Sequence, residues 1–136
     1  MSEFKNTGSC LCGEVKYEVN GKIDGFYLCH CQYCQKDTGS AHAANIFLSD
    51  GDLKWLKGEG NIKCFTLPAT RHTKSFCSQC GSALPYTDHI DDVLVVPAGS
   101  LDNKINIKPN AHLFMSSKAT WAEALENIKK FDRLPT

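Results

Sequence analysis

The chain has 136 residues, 42% of them apolar, a length and composition that suit one domain with a modest core. Fifteen Lys and Arg balance fifteen Asp and Glu with no basic stripe, which excludes an electrostatic footprint for nucleic acid or an anionic membrane. No stretch is long and apolar enough to span a bilayer, and the amino-terminal residues lack a signal peptide's apolar run. The expected location is cytoplasmic and reducing, where eight cysteines point to metal rather than disulfides.

In chain order, Cys10-Leu-Cys12-Gly13 comes first, with two thiols that share one face of an extended segment. Residues 14–19 alternate, placing Val15, Tyr17 and Val19 on one face of a strand. Asn20-Gly21 reads as a turn, and residues 25–28 as a second strand leading into Cys29-His-Cys31-Gln-Tyr-Cys34. Residues 32–38 predict a turn of helix stopped at Gly39. Residues 43–48, 53–56 and 62–67 predict three strands, divided by Ser49-Asp-Gly-Asp52 and Gly58-Glu-Gly-Asn61. Ser75-Phe76 runs into Cys77-Ser-Gln-Cys80-Gly81, and residues 84–87 and 93–96 complete the strands. Residues 121–131 space Trp121, Leu125, Ile128 and Phe131 as a helical face, with Thr120 and Glu123 as a capping box. Trp55 and Trp121 read as core. The expected fold is mostly β, with small antiparallel sheets and a short C-terminal helix, stapled by metal into one domain over residues 1–136.

Seven of the eight cysteines fall into the three clusters. Clustered thiolates bring several donors for zinc from one short segment. The pairs Cys10/Cys12 and Cys77/Cys80 can close a four-thiolate site with no room for substrate, which is a structural arrangement. Cys29, Cys31 and Cys34 leave a tetrahedral ion one open position, which is a catalytic arrangement. Cys64, inside a strand-like run, reads as a buried inert thiol. Iron or an iron–sulfur cluster is the competing occupant of the triple. A thioredoxin-like redox pair is the competing reading of Cys77/Cys80, but it needs a βαβ context that the sequence does not offer. Three thiolates on a divalent ion leave a net negative site, a weaker Lewis acid than one held by three neutral histidines. Such a site suits binding and orienting a substrate sulfur better than activating water.

These segments resemble the glutathione-dependent formaldehyde-activating enzyme family, which includes centromere protein V-like proteins. The matching strings are Gly8-Ser-Cys-Leu-Cys-Gly-Glu-Val-Lys-Tyr17, Cys29-His-Cys-Gln-Tyr-Cys-Gln-Lys-Asp-Thr-Gly-Ser40, Phe76-Cys-Ser-Gln-Cys-Gly-Ser-Ala-Leu84 and Pro97-Ala-Gly-Ser-Leu-Asp102. Pro109-Asn-Ala-His112 followed by Lys118-Ala-Thr-Trp121 also fits. The resemblance implies a zinc-binding β-tent fold and two zinc ions per chain. Cys10, Cys12, Cys77 and Cys80 would hold the structural ion, and Cys29, Cys31 and Cys34 the catalytic one. The implied activity is addition of glutathione to formaldehyde, giving S-(hydroxymethyl)glutathione, or the reverse carbon–sulfur lyase reaction. The family often places a basic residue directly after the third catalytic cysteine; this chain has Gln35 there, then Lys36.

The expected partners are a glutathione-like thiol and an aldehyde, with no nucleic acid and no membrane. Thiolate formation and proximity to a carbonyl carbon would supply the rate gain. His30 is a candidate acid for the developing alkoxide, although strand alternation turns it away from the metal face. His112 is a second candidate, from the tail resemblance. His42, His72 and His89 carry no motif support and read as structural or surface histidines. Lys36, Arg71 and Lys118 are candidates for pairing with substrate carboxylates. A zinc-stabilised binding module without turnover is the competing class, and a fourth protein ligand in the open position would favour it.

Overall fold

The computed structural model describes residues 3–135. Nine strands and one α-helix follow in order: β1 (Glu3–Ser9), β2 (Lys16–Cys29), α1 (Gln32–Thr38), β3 (Ala43–Lys57), β4 (Ile62–Thr66), β5 (Thr73–Cys77), β6 (Ala83–Leu84), β7 (Tyr86–Asp88), β8 (Val93–Pro97) and β9 (Ala111–Leu113). One sheet runs β1-β2-β3-β8-β7, with β9 also on β2; a second runs β4-β5-β6. All pairings are antiparallel except β2 with β9. The mostly β expectation with small antiparallel sheets holds.

The alternation in residues 14–19 decides the core. Val15, Tyr17 and Val19 are fully buried, and they pack with Ile46, Leu48, Leu84 and Val96. Tyr17 lies flat over Gly8, where an added Cβ would sit 2.2 Å from the phenol ring. Its hydroxyl is bonded to Ser100 Oγ at 2.5 Å, which satisfies the one polar atom of a buried ring.

Three sequence expectations are corrected. Asn20-Gly21 is not a turn: β2 continues through it, and the register against β3 slips between Asn20 and Lys22 and again between Ile23 and Gly25. Two strands joined by bulges make one long, bent strand. The same slip runs β3 through Ser49-Asp-Gly-Asp52. Residues 121–131 form no α-helix; they hold two short 3-10 turns, Thr120–Ala122 and Leu125–Asn127. Ala124 lies in the left-handed region between them, and Trp121, Ile128 and Phe131 are more than half exposed. With no surface to pack against, helical spacing alone does not sustain a helix of this length. Trp121 is therefore not core, whereas Trp55 packs edge-on against Tyr17.

Helix α1 matches its expected limits. Cys31 caps its start by accepting the Cys34 N–H on sulfur, and Gly39 ends it at φ 64°. No helix among the described residues is long and apolar enough to cross a membrane.

Candidate metal centres and the cleft beside them

The first centre joins two loops far apart in sequence. Cys10, Cys12, Cys77 and Cys80 bring their four sulfurs within 4.8 Å of one another. Cys10 and Cys12 sulfurs are 3.6 Å apart, and Cys12 and Cys77 sulfurs 3.9 Å apart. A zinc–sulfur bond of ~2.3 Å places tetrahedral sulfurs ~3.8 Å apart, so the donor set fits a metal ion. The separations far exceed a disulfide bond, and all eight cysteines are free. Backbone geometry holds the loops: Val15 N–H donates to Cys10 sulfur at 3.3 Å, and Gln79 N–H to Cys77 sulfur at 3.4 Å. Gly81 supplies a positive φ after the second pair. Bonding to Ser82 holds the Cys80 thiol down at about 5. Leu11 N–H donates to the Ser82 hydroxyl, which stitches the two loops together.

The second centre is built at the end of β2 and the start of α1. The sulfurs of Cys29, Cys31 and Cys34 also lie within 4.8 Å of one another. No fourth cysteine, histidine or carboxylate among the described residues joins them. Burial and the neighbouring thiols push the Cys34 thiol up. Burial acts the same way on Cys31, but the Cys34 and Tyr33 N–H groups and the adjacent thiols outweigh it and leave that thiol low. Both groups can therefore hold metal ions, one with four thiols and one with three.

The three-thiol group faces a cleft of about 510 Å³. Its walls include Asp37 from α1, Arg71, His72 and Lys74 around the start of β5, Tyr86 from β7, and Phe114. Asp37 pairs with His72 at 2.8 Å and with Lys74 at 3.0 Å. Arg71 reaches Asp88 at 3.1 Å and Asp91 at 2.6 Å.

The structure redistributes the histidine and basic candidates. His30 is buried, and its Nε2 lies 2.9 Å from His112 Nδ1. Its ring sits 5.1 Å from that of His42 and 5.0 Å from that of His112. None of the three lines the cleft, and His30 lies just past the end of β2 rather than within it. His72, read as structural or surface, instead lines the cleft, as does Asp37. Lys118 pairs with Glu123, and Lys36 lies outside the cleft wall. Gln35 donates to the carbonyls of His30 and Ser117, at 2.7 and 2.9 Å. It thus ties the metal loop to the tail. Cys64 is exposed on β4, not buried, because that strand's residues face outward on the small sheet.

His30 and His42 make stability depend on pH. Burial, then neighbouring charge, holds the His30 and His42 imidazoles below the ordinary 6.5. The unfolded chain then takes up protons first, so stability falls as the pH drops from about 6.5 toward the folded values. The urea midpoint is expected to fall between pH 7 and 5.5, and less steeply in His42→Asn. Equal slopes in the two proteins would contradict this role.

Comparison with known proteins agrees with this architecture. A crystal structure of a Rhodobacter sphaeroides protein is similar over 74% of this chain and 91% of that one. The two share 24% identity with a TM-score of 0.55, a likeness of fold. The sequence profile of the glutathione-dependent formaldehyde-activating enzymes matches residues 5–117, a span that contains both cysteine groups, the cleft and the His30–His112 contact. The chain is a member of the glutathione-dependent formaldehyde-activating enzyme family.

Proposed function

We propose that this chain, as one domain over residues 1–136, joins a glutathione-like thiol to formaldehyde or runs the reverse carbon–sulfur lyase reaction. The observation that carries this reading is the unequal donor count: four sulfurs in one group, three in the other, with the three opening on the cleft. Cys10, Cys12, Cys77 and Cys80 would hold a structural zinc, and Cys29, Cys31 and Cys34 a second zinc. When bound there, the second zinc supplies thiol acidification and a fixed position for the substrate sulfur. The chain's own residues supply the rest. Phe114, Tyr86 and Tyr33 give the cleft apolar walls, while Arg71 and Lys74 lend polarity at its side. The family's activity, and the lack among the described residues of a fourth donor grouped with the three sulfurs, favour turnover over a passive binding module.

The test is the rate of S-(hydroxymethyl)glutathione formation, followed by exchange NMR above the uncatalysed background. The wild-type protein is expected to accelerate exchange. Cys31→Ser is expected to lose at least about a hundredfold, the scale of removing thiolate activation and positioning. Wild-type exchange at the background rate would remove the reading.

A further inference from the structure

We propose that His72, oriented by Asp37, is the proton-transfer group of the cleft, an inference that rests on the thiol–carbonyl reading above. Asp37 lies one helical turn beyond Cys34 on α1. Its Oδ2 is 2.8 Å from His72 Nε2. Its Oδ1 is 3.0 Å from Lys74 Nζ, which also donates to the Asp37 carbonyl at 2.8 Å. An ionised carboxylate only accepts, so Nε2 carries the hydrogen and Nδ1 is left to exchange a proton. The His72 ring also packs against Tyr33, with centroids 5.7 Å apart.

The Asp37 side chain is 16% exposed and that of His72 20%, so the pair is shielded from bulk water yet reachable from the cleft. Both residues line the same cavity as Cys29, Cys31 and Cys34. A carboxylate that fixes an imidazole, with the second ring nitrogen left without a partner in a cavity shared with three thiols, is the arrangement of a positioned base. The cluster of His30, His42 and His112 cannot serve the same end, because none of its members lines the cavity.

The step balances without any added oxidant or reductant. The substrate S–H bond breaks and its proton passes to His72 Nδ1. The sulfur electron pair forms the C–S bond with formaldehyde. The carbonyl π pair moves onto oxygen, and that oxygen takes the proton back from Nδ1, giving RS–CH₂–OH and neutral His72. The reverse reaction uses the same path. Asp37 is a positioning residue: it holds the tautomer and stabilises the transient imidazolium.

The experiment separates binding from turnover. Glutathione is titrated calorimetrically into the zinc-loaded wild-type protein and into His72→Asn. The dissociation constant for glutathione is expected to change less than about threefold in His72→Asn, because the zinc-held sulfur and not the imidazole carries binding. In parallel, kcat of His72→Asn is expected to fall about a hundredfold, with KM changed less than about threefold. Asp37→Asn is expected to lose at least about tenfold in kcat while keeping bound metal and thermal midpoint, which separates positioning from folding. An unchanged kcat in His72→Asn, or a fall explained by lost glutathione binding, would overturn the assignment of His72 alone. Absence of any glutathione binding by the wild-type protein would overturn the thiol–carbonyl reading and this inference with it.

Discussion

Cys77→Ser is expected to abolish the cooperative thermal transition, whereas Cys31→Ser is expected to keep it. The two substitutions remove the same atom type but from groups with different tasks. Cys77 is fully buried, and its sulfur lies beside that of Cys12, which is 65 positions away along the chain. A metal there closes a long loop and fastens the amino-terminal segment to the small sheet. Structural zinc supplies roughly 10–16 kcal/mol of apparent binding energy in small domains, comparable to or above the ~5–15 kcal/mol that holds a typical domain folded. Losing one of four ligands is therefore enough to unfold this one. Cys31 sits in a group formed by residues within a single short stretch at β2 and α1. Its loss leaves the long-range tie intact. The check is thermal denaturation beside metal content per chain. Both variants are expected to lose about one metal, and only Cys77→Ser its fold. If both melted alike, the division between a clamp and a working centre would be wrong.

Gly58→Ala carries the second large effect. Gly58 has φ 78°, in the left-handed region, and an added Cβ would lie 2.0 Å from the Glu14 carbonyl oxygen. The obstacle is backbone, so no side-chain rotation relieves it. Left-handed strain and displacement of the 14–15 backbone together are expected to cost about 3 kcal/mol or more, about 10 °C in Tm. The displaced segment includes Val15, whose carbonyl and N–H both bond to Cys10. The substitution is therefore expected to weaken metal retention in the four-thiol group before it touches the three-thiol group. Metal release to a chromophoric chelator, followed at a temperature where the variant is folded, checks the order. Gly60→Ala, where an added Cβ meets nothing within 4 Å, is the control.

The cysteine groups were legible because a ligand set is written in residue type and short spacing, and chain folding only has to bring two such pieces together. Cys29, Cys31 and Cys34 are preassembled by one strand end and one helical turn, so spacing alone specified them. The Val15, Tyr17 and Val19 face was legible for the same local reason. What failed depends on partners distant in sequence. Asn20-Gly21 has the residues of a hairpin turn, yet β3 runs alongside without interruption and converts the would-be turn into a bulge. Strand β1 and strand β9 gave no usable alternation; each exists because β2 offers an edge to pair with. The tail had helical spacing but no core to face. His72 had no motif, and its meeting with Asp37 spans 35 positions. A Cys-x-x-Cys-x-x-Asp spacing puts a carboxylate one turn past a ligand, a signal that could have singled out Asp37 but not its partner.

Strand β5 runs from Thr73 to Cys77, with Lys74 near one end on the cleft wall and Cys77 at the other in the four-thiol group. Extended backbone is stiff over so short a span, so slack at the Cys77 end is carried to Lys74 and, through it, to Asp37. Inactivation by a chelator should accordingly show two phases. Stripping the cleft ion would silence the protein in a way that added zinc promptly reverses; stripping the clamp would misalign the far wall, and recovery would then wait on refolding.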